Sequence, residues 1–70
     1  MKIVIKIASD QERSEVYAEL ATENGIVADV FRDDQRVLQI EIYPTESGSS
    51  WTFDLDEWLE ALAEARRALR

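Results

Sequence analysis

Residues 9–25, SDQERSEVYAELATENG, lie between an alternating apolar stretch and a β-rich one, and their conformation decides which class of domain forms. Ser9 and Glu12 have the spacing of a capping box, in which two side chains reciprocally satisfy backbone donors at the start of a helix. Val16, Tyr17, Leu20 and Ala21 then recur at helical spacing, and Asn24-Gly25 offers the left-handed stop that glycine adopts without steric cost. The segment therefore predicts a helix over 10–23.

On its amino-terminal side, Ile3, Ile5 and Ile7 alternate with Lys2, Val4 and Lys6, the period-two pattern of a strand with one buried face, near residues 2–8. On its carboxyl side, residues 26–32 and 36–43 are rich in β-branched and aromatic side chains. They predict a hairpin closed by Asp33, Asp34 and Gln35. That closure sets Val30 opposite Leu38, Ala28 opposite Ile40 and Ile26 opposite Ile42, an apolar face toward the helices.

Pro44 ends the last strand, and residues 45–50, small and polar, form a connection. Asp54 and Glu57 then make a second capping box, with Phe53 and Trp58 at the two positions of a hydrophobic staple. Leu55, Trp58, Leu59, Leu62, Ala65 and Leu69 fall on one stripe, and Arg66, Arg67 and Arg70 complement the carboxyl end of the dipole, so a helix is expected over 55–69.

The expected order is β-α-β-β-α: a two-layer α/β sandwich of the α+β class, one domain over 1–70, with both helices on one face of a three-stranded, mainly antiparallel sheet. A right-handed crossover with the third strand inserted gives strand order 1-3-2; a parallel pairing of the first two strands is the alternative.

Composition narrows the function. The 70 residues carry fifteen acids against eight bases, a net charge of −7, so direct nucleic-acid binding and adhesion to an anionic membrane are disfavoured by Coulomb repulsion. With neither histidine nor cysteine, the chain lacks the usual proton shuttle, thiolate nucleophile, disulfide and soft metal ligands, which argues against an enzyme, a metal site or a cofactor. Lys6 interrupts an apolar run already too short for a signal peptide, and no window reaches the ~18 apolar residues of a membrane span. A cytoplasmic protein is the expectation.

Three features point to partners. In the expected register Val4, Val27, Phe31, Val37 and Tyr43 face away from the helices, an apolar outer sheet face suited to a protein interface or a homodimer. Glu12, Glu15, Glu19 and Glu23 would line one flank of the first helix as an acidic ridge for a basic partner. Trp51, at the end of the serine-rich connection, is a candidate anchor, whereas Trp58 belongs to the leucine stripe and the core. The reading is a small, acidic, non-catalytic protein-interaction module that self-associates. The alternatives are an inhibitor or immunity-type protein that mimics DNA and masks a basic active site, a small-ligand or enzymatic domain near Tyr43 and Trp51, and an oligomerising segment of a larger assembly.

Overall fold

In the computed structural model, which describes residues 2–9 and 15–69, the chain forms four strands and one helix. The strands are β1 (Val4–Ala8), β2 (Tyr17–Thr22), β3 (Gly25–Arg32) and β4 (Leu38–Ile42), and the helix is α1 (Leu55–Ala68). Each strand pairs antiparallel with the next in sequence, so the sheet is a meander of order β1-β2-β3-β4. The three-stranded, two-helix sandwich of order 1-3-2 is thereby overturned.

The correction lies in residues 17–22, which are a strand and not the second half of a helix. Ala18 and Leu20 are fully buried in the core, while Tyr17 and Glu19 belong to the other face, the alternation of a half-buried strand. The sheet rewards this conformation: Leu20 sits between Ile5 and Ala28, and Glu19 falls opposite Lys6. A helix would forgo both neighbours, and such tertiary gains override weak local propensity. Asn24-Gly25 serves a hairpin instead of a helix stop. Thr22 pairs with Gly25 across Glu23 and Asn24, the Asn24 N–H donates to Thr22 Oγ1 at 3.0 Å, and Gly25 takes φ +130°, a conformation that favours glycine. Of the first capping box, Glu12 lies outside the described residues.

The β3–β4 hairpin exists, but with a longer loop and a register two residues from the expected one. Arg32 pairs with Leu38, Val30 with Ile40 and Ala28 with Ile42. A shift of two keeps every side chain on its face, so the apolar matching survives. Asp33 explains the loop: its Oδ1 accepts from the Gln35 and Val37 N–H groups at 2.9 and 3.0 Å, and its Oδ2 from Gln39 Nε2 at 3.1 Å. Arg36 supplies the left-handed residue, at φ +65°. These bonds, with Val37 first, hold the Asp33 carboxyl below its usual pKa.

A bulge changes what β3 buries. Between Leu20 and Ala21 the β2–β3 register shifts and Val27 is left without a partner on β2. Val27 is fully buried and borders the same groove as Ile42, whereas Ile26 is 47% exposed and borders a cleft with Asp29. The expected inward Ile26 and outward Val27 have exchanged places.

Helix α1 begins where the start signals place it and the Phe53–Trp58 staple forms, but Asp54 caps through the Asp56 N–H, so the expected reciprocal box with Glu57 is not made. Asp54 is the N-cap and accepts from the Asp56 N–H at 2.9 Å, and acids in the first turn and arginines in the last match the dipole. It packs over β1 and β2. The core gathers Ala18, Leu20, Val30, Ala61, Ala65 and Leu69, with Ile3, Ile5, Leu38, Trp58 and Leu62 around it. Alanines on both layers let the helix sit close to the sheet, but leave little large apolar volume inside: Leu20 and Val27 are the largest fully buried side chains. The helix is not long and apolar enough to cross a membrane.

Candidate functional site

Because α1 covers β1 and β2, the helix side of β4 stays open. Ile40 and Ile42, which share a face with the core residues Val30 and Ala28, are 42% and 59% exposed. Across from them Leu55 and Leu59, one turn apart on α1, are 67% and 53% exposed. The leucine stripe expected to be entirely core therefore splits, with Leu62, Ala65 and Leu69 going in and Leu55 and Leu59 left facing solvent.

Between these two rows runs a groove of about 300 Å³ lined by Val27, Ile42, Trp51, Phe53, Leu55 and Trp58. Its wall is a three-ring stack. The Trp51 and Phe53 rings lie 5.7 Å apart at 11°, and those of Phe53 and Trp58 lie 5.4 Å apart at 5°. The Phe53–Trp58 half is the hydrophobic staple read from the sequence; Trp51 extends it, fixed by donating its indole N–H to the Tyr43 carbonyl at 2.8 Å. Trp51 is thus half-buried and anchored within its own chain. Such a wall offers flat, rigid apolar area to an incoming side chain at little entropic cost.

The opposite face of the sheet is polar in its centre. Lys6, Glu19, Asp29 and Glu41 are paired successively across the four strands, one base and three acids in a row. Like charges on neighbouring strands repel. The Tyr43 hydroxyl relieves this at one end by donating toward Asp29 Oδ2 at 2.5 Å and Glu41 Oε1 at 3.0 Å. Those acceptors, Asp29 above all, together with burial, push the Tyr43 pKa well above its ordinary value of 10. Asp29 is 8% exposed. A cleft of about 220 Å³ opens here beside Tyr17, Glu19, Ile26, Asp29 and Tyr43.

The residues assigned to the outer sheet face come to different places. Val4 is exposed on β1, Val37 is exposed in the loop before β4, Phe31 is half-buried on β3, Tyr43 closes the acidic row, and Val27 is buried at the bulge. They form no continuous apolar face. The acidic ridge depended on a helix that the chain does not form over 17–22. Glu15 precedes β2 and pairs with Arg36 at 2.5 Å, Glu19 joins the outer row, Glu23 sits in the β2–β3 turn, and Glu12 is outside the described residues. Among the described residues no cluster of potential metal ligands occurs.

A larger, polar cleft of about 660 Å³ lies where the serine-rich connection passes the β2–β3 turn and includes Trp51. Three of its hydroxyls are tied up within the connection: Thr45 Oγ1 donates to the Ser49 carbonyl at 2.8 Å, and the Ser47 and Ser49 hydroxyls lie 2.9 Å apart. The carboxylates of Glu23 and Glu46 line the same cleft.

Sequence reasoning did not single out Ile40, Ile42, Leu55 and Leu59 as surface, nor Lys6, Asp29 and Glu41 as a row. Phe53 and Trp58 were legible as a staple; the placement of α1 over only half of the sheet was not. Comparison with protein-family models, with curated proteins and with solved structures found no match.

Proposed function

We propose that this is an acidic, non-catalytic interaction module whose aromatic groove receives an apolar segment of a partner protein. The observation that carries the reading is the groove itself: a three-ring wall flanked by isoleucines and leucines that are 42–67% exposed. Clustered exposed apolar area of this kind marks interfaces, and aromatic residues dominate binding energy within them. The net charge of −7 and the acids of the first turn of α1, Asp56 and Glu57, favour a partner with basic residues flanking its apolar anchor.

Both tryptophans line the groove, so occupancy reports on their emission. Titration with synthetic peptides carrying one large apolar residue between lysines should shift that emission, and Leu55→Asp should weaken binding by about tenfold or more. Unchanged emission across the peptides, or equal binding by the variant, refutes the reading.

The acidic row on the outer face favours a second reading, the masking of a basic active site by carboxylates at strand spacing. It differs in predicting an association rate that falls steeply with salt and is slowed by Glu19→Gln but not by Leu55→Asp.

A further inference from the structure

β4 is an edge strand whose free side has a definite pattern. The Tyr43 N–H donates to the Val27 carbonyl and the Asp33 N–H to the Val37 carbonyl, at 2.8 and 3.0 Å, so the odd-numbered residues of the hairpin make the β3–β4 hydrogen bonds. Leu38, Ile40 and Ile42 therefore direct their N–H and C=O groups away from β3, and among the described residues nothing outside the sheet bonds to them. Natural edges are commonly guarded by lysine, proline or a bulge. β1, at the other edge, carries Lys6; between Leu38 and Ile42 β4 carries no lysine, proline or bulge, and Glu41 is its one charged side chain.

We infer that this edge pairs with β4 of a second copy of the chain, antiparallel about a two-fold axis at Ile40, to make one continuous eight-stranded sheet. The edge is self-complementary in that register. Ile40 faces Ile40 of the second copy and Leu38 faces its Ile42, so each free donor on one copy meets a free acceptor on the other. On the helix side the exposed Ile40 and Ile42 of both copies become neighbours and cover one another. On the outer side Gln39 falls opposite Glu41 of the second copy, an amide against a carboxylate. Sliding the pairing two residues toward Tyr43 would set Glu41 against Glu41, which charge opposes. The pairing also supplies apolar burial that this alanine-rich core lacks, as chains this small commonly need. Ile42 lines the aromatic groove as well, so the dimer and the groove share that residue.

The absence of cysteine makes the register directly testable. Gln39 and Glu41 would form a non-hydrogen-bonded pair across the axis, with Cα atoms about 4.5 Å apart, within reach of a disulfide. Under mild oxidation an equimolar mixture of Gln39→Cys and Glu41→Cys should link unlike chains, while each variant alone links far less. Sedimentation equilibrium should show a dimer that tightens with added salt, because two acidic copies repel. Ile40→Lys should raise its dissociation constant about tenfold or more, with circular dichroism and thermal melting of the monomer unchanged. Ile40→Pro, which removes an outward donor and the isoleucine side chain but no β3–β4 hydrogen bond, provides a second disruption.

A monomer at ~1 mM, the weak end of the affinity scale, overturns the inference. So does a dimer that survives both substitutions, or linkage confined to like chains. The peptide titration above, run on the unsubstituted protein whatever its oligomeric state, separates this failure from failure of the groove: emission that shifts in a protein found to be monomeric leaves the interaction reading standing alone.

Discussion

The two halves of the sheet are built from similar residues and end differently. Under α1, β2 buries Ala18 and Leu20 fully and β1 buries Ile5 in part, against Ala61 and Ala65. Beyond it, β4 presents Ile40 and Ile42, chemically equivalent to Ile5, to solvent. Apolar character was distributed over both halves, but one helix can cover only about two strands, since strands lie about 4.8 Å apart and a helix is about 10 Å wide. The comparison teaches that the apolar residues of this chain exceed what its own second layer can hide.

Substitutions break that comparison most sharply in the covered half. Leu20→Ala should cost about 2–5 kcal/mol in urea unfolding, the range for a buried leucine whose cavity cannot collapse. A loss under ~1 kcal/mol would mean that the covered half is no better packed than the open one.

Next in size is the polar row that ties β3 to the end of β4. Tyr43→Phe should cost about 1–2 kcal/mol at neutral pH by removing the donor shared by Asp29 and Glu41. The pH dependence has a definite sign. Because the folded-state pKa of Tyr43 is raised above its ordinary value of 10, its contribution is complete below that pH and is lost as pH rises through the higher folded value. Parent and variant should therefore converge in stability above pH 10, and a constant difference through the alkaline range would count against the bridge.

The smallest effect belongs to the open half. Leu59→Gln should leave monomer stability within about 0.5 kcal/mol, as for surface positions that touch little. A larger loss, measured in dilute solution, would show that Leu59 is part of the core after all.

Legibility followed the range of the interactions involved. The carboxyl-terminal helix was readable because Asp54, Phe53 and Trp58 act within one turn, and N-cap and staple appear as the spacing demands. The apolar matching of β3 with β4 was readable too, since a register error of two preserves the faces; the loop itself was misjudged because Asp33 accepts bonds from Gln35, Val37 and Gln39 and so supports five residues where three were expected. Residues 17–22 were misread because Val16, Tyr17, Leu20 and Ala21 satisfy a helical stripe while Ala18 and Leu20 satisfy a strand, and Asn24-Gly25 punctuates either structure. The groove combines both cases: its aromatic wall is local, and its isoleucine rim is not.

By itself the sequence determined the local elements whose causes lie within a few residues: the capped helix, the first strand though not the burial of its Ile7, the apolar faces of the β3–β4 hairpin, and an acidic chain without imidazole or thiol chemistry. Tertiary structure alone decided that residues 17–22 join the sheet, that the bulge at Val27 turns that side chain inward, and that Leu55, Leu59, Ile40 and Ile42 remain on the surface. The physical reason is that burial is a property of what lies opposite a side chain, and the partners of these residues come from strands and a helix distant along the chain.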